Sequence, residues 1–252
     1  MKDSSKHFAN HSALEHLKEA REKGQGVFSE VHGLEPSGCM IALLDSAKTT
    51  VILLLTTWTL LFLFATPFSI ASLFLFALSF GLLFLHTGRS AYLGWARLER
   101  LHRLIEEERW EIEHHKEQEK EELIEMYEAK GFQEPLLSQV IETLMADDNR
   151  LLEVMLTEEL AIPLEAYEHP LKQGVYALIG SSISVFLFFL GRWISPFYGP
   201  IIISFGIVIS ASLLFAKIQK NEKMRACIWN LSLFGMIVGG VYLLGRFLQN
   251  VL

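Results

Sequence analysis

The chain has 252 residues, is 51% hydrophobic and 20% charged, and carries a net charge of −7. The two classes are segregated: no charged residue falls between Thr49 and Leu85, whereas 21 of the 29 acidic residues lie between Glu99 and Glu168. The acidic block argues against a nucleic-acid partner, whose phosphates it would repel, and suits a cation.

Residues 1–40 are polar and form an N-terminal segment expected on the cytoplasmic side. No short apolar core precedes a small-residue cleavage site there, so the first span is expected to act as the insertion signal. A membrane-spanning helix needs about 20 apolar residues, because the hydrocarbon core is about 30 Å thick. Residues 41–64 and 68–88 meet that requirement and are joined by Ala65-Thr66-Pro67, a turn with a helix breaker. Residues 41–93 thus read as a transmembrane hairpin. Within 171–252, further spans are expected at 174–194, 199–216 and 227–248. In lipid the helical form is forced, since every backbone polar group must be satisfied internally. The fold class is all-α: a polytopic membrane protein of about five spans, with a helical domain inserted between spans two and three.

Lys and Arg placement sets the orientation. With the N-terminus inside, 19 of the 22 basic residues face the cytoplasm; Arg192 and Arg246 face outward and Lys48 lies within span one. The C-terminus is then on the opposite side. The sequence does not distinguish a bacterial inner membrane from a vacuole-type membrane.

Segment 94–170 reads as a cytoplasmic, glutamate-rich domain of four helices. The first continues out of span two to about His115, about 30 Å past the membrane at 1.5 Å per residue. The second covers Glu117–Ala129 and stops at Gly131, a residue suited to a left-handed terminus. The third starts near Pro135 and ends near Met145. The fourth follows the capping cluster Asp147-Asp148-Asn149 and ends before Pro163. In the last span, Gly235 and Gly239 stand in small-xxx-small spacing, which predicts close packing against a neighbouring helix.

The glutamates carry the chemistry. Glu108 and Glu111 are three apart on one helix, Glu119 and Glu122 three apart on the next, so each pair shares a face. A bend near His115-Lys116 lets the two helices fold as a hairpin and brings the four carboxylates together. Met155 and Glu159, four apart, share a face of the fourth helix. Carboxylates suit hard divalent cations, and a thioether favours iron-like ions over magnesium. The alternative is a solvated amphipathic face. Two E-x-x-H pairs, Glu99/His102 and Glu111/His114, lie about 18 Å apart along one helix and cannot flank a single di-metal centre. His7, His11 and His16 have no acid partners at fixed geometry. The two cysteines, Cys39 and Cys227, form neither a disulfide framework nor a metal knuckle. No nucleophile triad, phosphate-binding glycine loop or nucleotide motif occurs, so an enzyme is not expected.

Arg109-Trp110-Glu111-Ile112-Glu113, the run Glu119 to Glu125, the segment Tyr127-Glu128-Ala129-Lys130-Gly131-Phe132 and the stretch Met155 to Leu160 resemble the cytoplasmic domain of the vacuolar iron transporter family. The resemblance resumes at Gly174 and includes Gly239-Gly240, Tyr242 and Gly245. It implies five spans with a helical domain inserted after the second. It also implies export of ferrous iron or a similar divalent metal, such as manganese, in exchange for protons, by a homodimer. Metal is then substrate, with no permanently bound cofactor, and the partners are metal ions, protons and the lipid bilayer. Carried over by position, the family's ligands fall on Glu108, Glu111, Glu119, Glu122, Met155 and Glu159. Leu156 stands where the family commonly has a second Met.

The first two spans depart from that pattern. Leu44-Asp45-Ser46-Ala47-Lys48 keeps the acid of the family's Asp-Gly opening, but Ser46 replaces the glycine and Lys48 is added. Span two, expected to carry an acid and methionines, is mostly Phe and Leu; His86 is its nearest metal or proton group. An intramembrane acid is a functional candidate, which puts Asp45 on the ion path, with Lys48 and His86 as modulators. The competing reading of Asp45 and Lys48, three apart on one face, is an interfacial ion pair. The expected function is proton-coupled divalent metal export. The alternative is a membrane-anchored metal-binding or sensing protein that has lost transport.

Overall fold

A computed structural model describes residues 38–159 and 169–251. All regular structure among the described residues is helical. In chain order the helices are α1 (Gly38–Leu63), α2 (Phe68–His114), α3 (Lys116–Ala129), α4 (Leu136–Met145), α5 (Asp148–Val154), a π-helical turn (Met155–Glu159), α6 (Pro170–Ile194), α7 (Tyr198–Ile218) and α8 (Lys223–Val251). Helices α1, α2, α6, α7 and α8 are each long and apolar enough to cross a membrane. The described residues divide into an apolar unit, 38–95 with 169–251, and a glutamate-rich unit, 96–159. The expected end of the fourth soluble helix, and His7, His11 and His16, lie outside the described residues.

The helix ends have local causes. Helix α3 stops in a Schellman motif. Gly131 donates to the Glu128 carbonyl and Phe132 to the Tyr127 carbonyl, with Gly131 at φ +94 and the Tyr127 and Phe132 rings 5.3 Å apart. Helix α1 ends the same way without glycine. Ala65 donates to Phe62 and Thr66 to Leu61, and Ala65 takes φ +47 itself. Lys220, at φ +55, does so after α7. Asp147 caps α5, its carboxylate accepting from the amides of Asn149 and Arg150. Helix α6 begins four residues earlier than the apolar run predicts. His169 caps it by accepting from the Leu171 amide, and Pro170 occupies the first turn, where a missing N–H is harmless.

In the apolar unit α1 packs against α6, α7 and α8. Val51, Leu54, Leu55 and Trp58 of α1 form a core with Leu75 and Leu82 of α2, Phe188 of α6 and Phe234 of α8. The α1–α6 seam is tight and hydroxyl-lined. A Cβ on Gly180 would lie 2.1 Å from the Leu43 carbonyl oxygen. Ser46 donates to the Ala177 carbonyl at 2.9 Å, Thr50 to Ser181 at 3.1 Å, and Ser184 to the Ala47 carbonyl at 2.9 Å. Each hydroxyl finds an acceptor on the facing helix, as lipid requires. The tight packing expected at Gly235 and Gly239 does not occur among the described residues: a Cβ at Gly235, Gly239 or Gly240 meets nothing within 4 Å. Only Gly245 makes a close approach on α8, its Cβ position lying 2.8 Å from Leu63.

In the glutamate-rich unit Leu101 and Ile112 of α2, Leu123 and Met126 of α3, Ile141 of α4 and Leu151 of α5 form one core. Two ion pairs join its helices on the surface, Lys116 with Asp148 and Lys130 with Glu158. Exposed pairs of this kind contribute at most about 1 kcal/mol each. The apolar core therefore dominates the stability of the unit, and the ion pairs help set its register.

Candidate metal centre

Three elements converge on one point. α2 supplies Glu108, α3 supplies Glu119 from its first turn, and the π-helical turn supplies Glu159. One carboxylate oxygen from each lies within 4.8 Å of the others. Oxygens bound to one divalent ion at about 2.0–2.6 Å are at most about 5 Å apart, so the spacing fits a single cation. The three side chains are only 4%, 1% and 2% exposed. A merely solvated acidic face would leave them in water.

The bend at His115 makes this possible. Its amide closes the last turn of α2 on the Glu111 carbonyl, and its carbonyl then accepts from Gln118 and Glu119 at the start of α3. Glu108 and Glu119 are thereby placed on facing helices. Burial, followed by the charges of Glu108, Glu122 and Glu111, pushes the Glu119 carboxyl up to about 9. A helix N-terminus favours a carboxylate by only about 0.3–1 kcal/mol, and desolvation overrides it here. Glu119 therefore holds a proton at neutral pH, which an arriving dication would displace.

The other expected ligands take different places. Glu122 is buried and acts on Glu119 through its charge. Glu111 is half-buried and lines an open cleft with Arg103, Glu106, Glu107 and Trp110, outside the triad. Met155 is fully buried in the apolar core, as is Leu156. His114 stacks on Trp110 with centroids 4.6 Å apart and bonds the Trp110 carbonyl. Sequence reasoning singled out neither Gln118 nor Glu125. Each has a buried carboxamide or carboxylate oxygen without a hydrogen-bond partner among the described residues. The i, i+3 rule that joined Glu119 to Glu122 would have reached Glu125 in one further step.

Residues 90–246 match the family model described as the VIT family. The chain belongs to the VIT family. It is an integral membrane protein of a family of metal-ion transporters, for which metal is a substrate rather than a bound cofactor. No curated protein and no solved structure matches it.

The VIT match takes in all three converging glutamates and begins after His86, leaving α1 and most of the apolar part of α2 outside. There the Asp45–Lys48 ion pair is not formed. The Lys48 amine donates to the Asn230 side chain at 3.3 Å and lies 5.3 Å from the Phe215 ring centroid. Contacts from α7 and α8 draw it off the α1 surface. Asp45 is exposed on the chain, and its carbonyl accepts from Thr49. The Thr49 hydroxyl lies 3.4 Å from His86 Nε2, and His86 is buried within electrostatic reach of Asp45 and Arg89.

Proposed function

We propose that this VIT-family chain exports a divalent metal ion, ferrous iron or manganese, from the cytoplasm in exchange for protons. The convergence of three buried carboxylates carries the reading. Three like charges out of water are strongly unfavourable unless protonated or compensated by a cation. In this scheme residues 94–170 lie on the cytoplasmic side and capture the ion at Glu108, Glu119 and Glu159. Glu122 and Glu111 add negative field, and Met155 adjoins Glu159 on the same turn. Asp45 receives the ion at the membrane, with His86 and Thr49 beside it and Lys48 held off by Asn230. The N-terminus is inside and the C-terminus outside. A homodimer joined along α8 is part of the proposal, supported by the three glycines that no helix among the described residues covers.

A second reading has its own support. The match omits the two spans where Asp45 and His86 stand, and span two has neither acid nor methionine between Phe68 and Leu85. This fits a membrane-anchored metal-binding protein without transport. Purified protein in proteoliposomes decides between them. Uptake or release of Mn²⁺ or Fe²⁺ that follows an imposed proton gradient supports export. Metal binding without flux, across Fe²⁺, Mn²⁺, Co²⁺ and Zn²⁺, leaves only the second reading.

A further inference from the structure

Arg192, in the last turn of α6, is 5% exposed and lies among apolar side chains. Arginine stays protonated under all ordinary conditions, and at a span end it normally extends to the interface. Here it turns inward. Its Nη2 donates to the Phe68 carbonyl at 3.4 Å and to the Ser72 hydroxyl at 3.2 Å, and its guanidinium lies 4.3 Å from the Phe68 ring centroid. All three partners are neutral. Its buried Nε has no hydrogen-bond partner, and no carboxylate pairs with Arg192 among the described residues.

The guanidinium lines a cleft of about 210 Å³ with Trp58, Phe62, Thr66, Phe68, Ala71 and Phe197. Apart from Thr66 the other walls are apolar, and Phe62, Phe68 and Phe197 are also exposed on the outer surface of the chain. The cleft sits at the bundle end that holds the α1–α2 and α6–α7 turns, away from Asp45.

We propose that this cleft binds an anionic phospholipid, its phosphate on Arg192 and its acyl chains along the exposed phenylalanines. The argument is charge complementarity. A buried cation with only neutral partners favours an anion, and the planar guanidinium fork matches phosphate oxygens. The apolar walls select a phosphate that carries hydrocarbon. The favourable field at the C-terminus of α6 is a weaker compensation than a full counter-charge.

The test is the melting temperature of the full-length protein in neutral detergent, with phosphatidylglycerol, phosphatidylcholine or inorganic phosphate added. Phosphatidylglycerol is expected to raise it by several degrees, and the other two to leave it unchanged. Arg192→Gln should lose the rise and Arg192→Lys should keep part of it. Ala71→Leu narrows the cleft with the guanidinium in place and should lose it too; it decides the matter if Arg192→Gln does not fold. Equal rises with phosphatidylcholine, a rise with inorganic phosphate alone, or a rise that survives Ala71→Leu would each overturn the assignment. Stabilisation that follows protein concentration and ignores lipid would overturn it as well, assigning the cleft to a second copy of the chain.

Discussion

In the apolar unit the polar groups between α1 and α6 are hydroxyls, each turned to a carbonyl or hydroxyl across the seam. In the glutamate-rich unit the buried polar groups are carboxylates, aimed at one another from three elements. The first arrangement is complete with protein alone, because neutral hydrogen bonds close it. The second needs a proton or a cation, because like charges in a poorly solvated site cannot all ionise. A buried polar group that satisfies itself is architecture; one that accumulates a single sign of charge marks a place for a ligand. The family match covers the carboxylate site together with α6, α7 and most of α8, and leaves α1 outside.

The sharpest way to break this contrast is at the acid of α1. If the chain transports, Asp45→Asn abolishes proteoliposome flux while Mn²⁺ binding to the purified protein is unchanged. Retained flux would remove Asp45 from the path. Lys48→Ala should leave flux unchanged or raised, since its amine is bound to Asn230 and not to Asp45.

Next is Glu119→Gln. Losing a ligand should weaken Mn²⁺ or Fe²⁺ binding by at least about tenfold to a hundredfold, the range for disturbing even the outer partners of a metal. Calorimetry on the full-length protein reads this, and unchanged affinity would reduce the cluster to a structural feature. The same change should raise the melting temperature of the metal-free protein near neutral pH, because the buried carboxyl no longer has to take up a proton on folding.

Acidity sharpens the contrast further. Glu119 binds its proton more tightly when folded, at about 9, than at the ordinary 4.5. Its contribution to metal-free stability is therefore full below about 4.5 and is lost as pH rises toward about 9. Melting temperatures across that window should fall with rising pH, and Glu119→Gln should flatten the slope. Metal affinity should run the other way, rising with pH as the proton is displaced more readily.

Smaller effects belong to the neutral seam. Gly180→Ala places a Cβ where the Leu43 carbonyl stands and should destabilise by about 1–3 kcal/mol. Gly239→Ala should leave the fold of one chain unchanged and lower only the dimer fraction seen by crosslinking. Ala65→Gly and Lys220→Gly relieve left-handed strain, and each should add at most about 1 kcal/mol in thermal unfolding.

Legibility differed by the kind of signal. Spans were readable because about 20 apolar residues admit one solution in lipid. Gly131 announced its helix end, whereas Lys220 gave no sign, because backbone hydrogen bonds alone hold its positive φ. His169 and Pro170 begin α6 ahead of the apolar run that marked it. The i, i+3 spacing put Glu108 with Glu111 and Glu119 with Glu122, but it could not rank them. The triad takes one member of each pair, a choice made by the angle at His115. Spacing alone allows Lys48 to pair with Asp45 but says nothing of Asn230, 182 residues away, to which its amine donates.

The π-helical turn at Met155–Glu159 constrains length where composition is permissive. Successive residues of an α-helix advance by about 100° around the axis, and a wider turn absorbs one extra residue without rotating the rest by that amount. Inserting a further residue between Leu151 and Glu158, where the wide turn has already taken one up, would swing Glu159 off the point where Glu108 and Glu119 meet. Conservative exchanges at the exposed Glu153 or Thr157 would leave it there. For this stretch the count of residues matters more than their kind, and a one-codon insertion would do more harm than most substitutions.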